Sequence, residues 1–182
     1  MRGLTKILMV VVVVLVAGTV HAQTVNWKYV EGGWATLDPD YGSREDGWFV
    51  GGAFDLGKLP LHFFGNFANY DFGDFDLDVW QVGGGWHGLL GERADLFADG
   101  AFYDMDIDDG FKIRFGARWM VTKRFELNGY LAWTELDFSD NKSASGNVVF
   151  DFTKFFGVGG GVEVGDDYDT ARVFARFNFG RD

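Results

Sequence analysis

The chain has no cysteine, which excludes disulfide scaffolds, thiolate metal sites and cysteine nucleophiles together. It has only two prolines, and no stretch of it sustains a helical period, so neither a disordered tract nor a helical bundle suits it. Basic residues are scarce, 16 Lys and Arg against 27 Asp and Glu, which argues against a nucleic-acid binder, since that needs a basic face. Only one long hydrophobic run occurs, Ile7 to Val20, preceded by Arg2 and Lys6. It falls short of the roughly 20 residues of a spanning helix and fits the core of a secretory signal. Val20-His21-Ala22 supplies small residues where a signal peptidase cuts, so residues 1–22 are expected to leave and 23–182 to form one domain.

What is abundant is glycine, 27 residues, and aromatics, 18% of the chain and all beyond residue 22. Such an excess in an exported protein suggests that its solvent is partly lipid. The dominant pattern is alternation with period two. Phe111, Ile113, Phe115, Ala117 and Trp119 share one face, with Lys112, Arg114, Gly116 and Arg118 on the other. Ala171 to Phe179 repeats the pattern against Arg172, Phe174, Arg176 and Asn178.

This template predicts about ten strands, near 25–38, 46–57, 60–71, 76–89, 94–104, 110–121, 125–137, 146–154, 157–165 and 170–179. Fusion or loss of the eighth and ninth would leave eight. The lengths suit tilted membrane-spanning strands. The expected fold is all-β: a closed, antiparallel, up-and-down transmembrane barrel. Its apolar face, carrying Trp34, Trp48, Trp80, Trp86, Trp119 and Trp133, would meet lipid. Charge separates by end. Connections after odd-numbered strands hold eighteen acids against Arg44 and Lys142; the opposite end holds seven bases against Glu92 and Asp182.

Tyr29-Val30-Glu31-Gly32-Gly33-Trp34, Val82-Gly83-Gly84-Gly85-Trp86 and the closing strand Val173 to Phe179 resemble the small OmpA-like and OmpX-like outer-membrane barrels. More narrowly, the chain is similar to the quorum-factor-like outer-membrane barrels. The resemblance implies a bacterial outer-membrane location, no catalytic residues, and partners in outer-membrane lipid, lipopolysaccharide, periplasmic chaperones and the barrel assembly machinery. In such barrels the final aromatic serves assembly; here it is Phe179, followed by Gly180-Arg181-Asp182.

The other face would fill the lumen with Glu31, Asp95, Asp99, Arg114, Arg118, Glu126, Asp151, Glu163, Arg172 and Arg176 as an ion-pair network. Hairpin folding sets Asp99 opposite Arg114, Asp95 opposite Arg118, Glu126 near Arg118 and Glu163 opposite Arg172. Closure brings Glu31 to Arg172 and Arg176. Asp55, His62, His87 and Asp95 would form a row that could hold zinc, or simply a hydrogen-bonded plug. Other motifs fail: Asp104 to Gly110 starts like a calcium loop but has Phe115 where a glutamate is required, and the Gly83–Gly85 and Gly159–Gly161 triplets lie inside strands. No serine lies beside either histidine. The expectation is a non-enzymatic structural or surface-interaction barrel without a cofactor. The alternatives are a narrow cation-favouring, porin-like channel and a lumen that binds metal or carries out catalysis. Diffuse divalent cations would relieve the acidic rim.

Overall fold

The computed structural model describes residues 25–40, 42–57, 59–106, 108–136 and 140–179. The expected signal segment, and Lys58, Asp137, Arg181 and Asp182 of the charge tally, lie outside the described residues. Ten strands follow in order: β1 (Tyr29–Pro39), β2 (Glu45–Asp55), β3 (Leu61–Asp71), β4 (Asp76–Leu90), β5 (Ala94–Met105), β6 (Asp108–Met120), β7 (Phe125–Leu136), β8 (Asp140–Asp151), β9 (Phe156–Gly165) and β10 (Tyr168–Asn178). Each pairs antiparallel with its chain neighbours, and β1 pairs with β10 to close the barrel. Among the described residues there is no helix. The count is ten, not eight.

Alternation sets the two surfaces. Outward residues include Trp34, Trp48, Phe63, Trp80, Phe115, Leu131 and Val173, all strongly exposed. Phe115 and Val173 each keep 62% of their surface open. A barrel in water does not present such a continuous apolar band, whereas one crossing a bilayer must. Part of the band is an aromatic row: Trp34 lies opposite Trp48, whose ring is 5.2 Å from that of Phe67, and Phe67 is 4.4 Å from Trp80. Inward residues include Glu31, Phe49, His62, Asp99, Arg118 and Arg176, all buried.

Inward glycines make room for large neighbours. A Cβ on Gly159 would meet the Phe174 ring at 2.5 Å, and one on Gly85 or Gly161 would run into Asp99 or Asn147. The close approach of these side chains is what the glycine-rich runs in β4 and β9 permit. The turns are tight, with Gly57, Gly73 and Gly91 at positive φ.

Three expectations shift. Residues 25–28 do not extend β1; they turn into the barrel end, where Val25 and Trp27 are buried. β8 begins at Asp140 rather than near residue 146, because Asn141, Ser143 and Ser145 are polar residues on an inward face, which a search for apolar alternation passes over. Pro39 ends β1 opposite Tyr168 instead of lying in a loop; a missing N–H is tolerated at a strand terminus.

Candidate functional site in the barrel lumen

The lumen divides along the barrel axis. Toward the acidic end it is walled by Ala35, Leu37, Phe49, Ala68, Tyr70, Leu77, Val79 and Tyr103, which pack as one cluster. Below this wall the charges converge.

Arg176 donates to Glu31 Oε2 from Nη2 at 2.6 Å and from Nε at 2.9 Å, and its Nη1 reaches Glu126 Oε1 at 3.4 Å. Glu126 accepts from Arg118, Nη2 at 2.8 Å and Nε at 3.0 Å. Glu31, Arg176, Glu126 and Arg118 stand on β1, β10, β7 and β6, so the chain of ion pairs spans the lumen rather than following one hairpin. Both guanidinium groups flank the Tyr29 ring, Arg176 at 4.1 Å and Arg118 at 5.2 Å. All four charged side chains are buried, which is tolerable only because each is paired.

Beneath this layer lies Trp27. Its ring stacks on His62 at 4.1 Å and His87 at 4.9 Å, its indole N–H donates to Asp95 Oδ2 at 2.7 Å, and Arg118 sits 4.5 Å above it. Trp27 had no place in the sequence reading. The signal was its parity: positions 27, 29 and 31 continue one inward face past the point where β1 stops pairing.

Asp99 faces Arg114 in register and accepts from its Nη2 at 2.7 Å; His62 Nε2 is 2.9 Å from the other oxygen. Asp95 faces Arg118 in register, yet its contacts are Trp27 and, at 3.6 Å, His87 Nδ1. Asp151 accepts from Asn178 Nδ2 at 3.1 Å, low in the barrel.

One expectation is corrected, and the row left open between zinc and a hydrogen-bonded plug takes its place. Glu163 is not opposite Arg172: the Asp166-Asp167 turn is so tight that Glu163 faces Thr170 and Arg172 faces Gly161. Glu163 instead reaches across the lumen to Lys112 Nζ at 2.8 Å, and also accepts from Tyr130 at 2.7 Å and Ser143 at 2.6 Å. The row of Asp55, His62, His87 and Asp95 does not converge on a point. Asp55 lies opposite His62, but its carboxylate turns to Lys28 Nζ at 3.2 Å, and Trp27 stacks on both imidazoles. Among the described residues no three His, Asp or Glu side chains are grouped to hold a metal ion.

At the acidic end the register sets like charges face to face: Asp38 with Asp169, Asp46 with Asp71, Asp71 with Asp76, and Asp104 with Asp109. Such pairs repel.

In sequence, no protein family and no curated protein matches the chain. Solved structures match in fold. The KdgM porin superposes with a TM-score of 0.52 at 7% identity, over 84% of this chain and 99% of that one. The KdgM porin in complex with disordered oligogalacturonate gives 0.50 at 8% identity, over 86% and 100%. The attachment invasion locus protein Ail of Yersinia pestis gives 0.39 at 12% identity, over 85% and 99%. The fold is that of small outer-membrane β-barrels.

Proposed function

We propose that this protein resides in the bacterial outer membrane and serves there as a non-enzymatic structural or surface-interaction barrel. The observation that carries the reading is the buried layer of Glu31, Arg176, Glu126 and Arg118 resting on Trp27, which crosses the lumen with paired charges and rings. The apolar outer band and the resemblance to OmpA-like, OmpX-like and quorum-factor-like barrels support the location. Its partners on this reading are membrane lipid, lipopolysaccharide, and the chaperones and assembly machinery that insert it. Divalent cations would bridge the acidic rim to lipid phosphates.

A second reading, a narrow cation-favouring channel, draws on the acidic mouth and the cavity beneath it. Proteoliposome swelling separates the two. On the structural reading, vesicles carrying the folded barrel swell no faster in arabinose or glycine than empty vesicles. Rapid swelling would replace it with the channel. For location, the barrel is expected in the outer-membrane fraction with heat-modifiable gel migration; recovery in the soluble periplasmic fraction would refute it.

A further inference from the structure

The lumen contains a cavity of about 410 Å³ that runs from the mouth at Phe72, Phe75 and Tyr168 down to Glu31, Arg176 and Arg118, with Trp27 also in its lining. Small-ligand sites are mostly apolar clefts of about 300–1,000 Å³ with a few placed polar groups. The walls here are apolar and aromatic, and the floor is rich in donors. Lys112 and Arg176 are each matched by a close carboxylate. Arg172 is not: its Nε and Nη2 donate to the neutral Asn147 Oδ1 at 3.0 and 2.8 Å, and the nearest carboxylate, Glu31 at 3.7 Å, is already held by Arg176. Its guanidinium lies between Phe49 at 5.5 Å and Phe174 at 5.4 Å and is the most exposed of the paired lumen arginines. Two more residues of the cavity lining carry a buried donor without a partner among the described residues: Gln81, at Nε2, and Arg114, at Nε.

We infer that the cavity is a binding site for a small amphipathic carboxylate, with the anionic head on Arg172, Arg114 and Gln81 and the apolar body against Phe49, Tyr70 and Tyr103. Two uncommitted N–H groups and one underpaired guanidinium favour an acceptor-rich, anionic head. The aromatic walls favour a flat or acyl body over a hydrated sugar. The acidic rim opposes entry at long range, but its field is screened over about 8 Å at physiological ionic strength. The inference rests on the closed floor of the structural reading. Swelling reports failure of that floor independently of any binding measurement.

The test is calorimetric titration of the barrel in lipid nanodiscs with 2-naphthoate and with its uncharged isostere 2-naphthamide, empty nanodiscs serving as the blank. Naphthoate is expected to bind at least about tenfold more tightly than naphthamide, a difference of about 1.4 kcal/mol. Arg172→Gln should lose that preference and Arg172→Lys should keep most of it. Ala35→Phe, which fills the cavity wall opposite Arg172, should abolish binding while heat-modifiable migration shows a folded barrel. Absent naphthoate binding, equal binding of the two probes, or undiminished binding to folded Ala35→Phe would each overturn the proposal.

Discussion

Toward the acidic mouth the lumen is walled by Ala35, Leu37, Phe49, Tyr70, Leu77 and Val79; toward the basic end it is crossed by Glu31, Arg176, Glu126 and Arg118 over Trp27. The same strands build both regions with the same alternation, so the backbone does not distinguish them. Side-chain volume and charge do. In the lower region Glu31, Arg176, Glu126 and Arg118 each meet an opposite charge from another strand, and inward glycines on β4 and β9 leave the space. In the upper region the inward residues of β1 to β5 are mostly apolar, Lys112, Thr134, Asn141, Ser143 and Glu163 line the other side, and a cavity lies between. The lesson is that one barrel can hold both a layer of ion pairs and an aromatic-walled cavity that runs down to it.

The largest expected difference comes from removing charge in each region. Arg118→Ala leaves Glu126 buried with only its longer contact to Arg176, at a cost of about 3–5 kcal/mol. Arg172→Ala removes a partly exposed side chain bonded to a neutral amide, with Glu31 only at 3.7 Å, and should cost about 1–2 kcal/mol. Urea unfolding midpoints in lipid vesicles compare the two, and equal midpoints would erase the distinction between ion layer and cavity wall.

Next comes the plug. Trp27→Ala removes two ring stacks, a cation–π contact and the hydrogen bond to Asp95, and should lower stability by about 3 kcal/mol. Trp27→Phe keeps the stacking and should recover more than half of that loss. If both variants unfold with wild type, residues 25–28 do not dock in the barrel.

Smaller still is the glycine contrast. Gly159→Ala drives a methyl into the Phe174 ring and should cost about 1–3 kcal/mol. At Gly65 a Cβ would meet nothing nearer than Gln81 O at 3.7 Å, so Gly65→Ala should be nearly neutral. The same unfolding assay ranks them, and a reversed order would contradict the assignment of inward and outward faces.

The smallest effect is at the rim. Millimolar Ca²⁺ should raise the thermal midpoint of the barrel in lipopolysaccharide-containing bilayers by a few degrees. The variant with Asp104, Asp106, Asp108 and Asp109 all changed to Asn should respond less. An identical response would remove the β5–β6 turn from cation binding.

The strands were legible because a period of two survives wherever one face is apolar and the other charged, as in Phe111–Trp119. It faded at the start of β8, where Asn141, Ser143 and Ser145 face inward and alternate with Lys142, Ala144 and Gly146, so no large hydrophobic residue appears before Val148. Pairs within one hairpin, such as Asp99 with Arg114, follow from the turn alone. Pairs across the lumen, such as Lys112 with Glu163 or Arg176 with Glu126, depend on barrel diameter and strand tilt, which no local pattern carries. The cavity was hidden for a related reason. Trp48-Phe49-Val50 is apolar on both faces, so hydrophobicity alone does not mark Phe49 as an inward ring.

The central claim is that the layer of Glu31, Arg176, Glu126 and Arg118 on Trp27 seals the lumen. Single-channel recording of the purified, folded wild-type barrel in a planar bilayer tests it most directly. The account predicts a silent membrane at potentials of either sign; steady, cation-selective openings would contradict it.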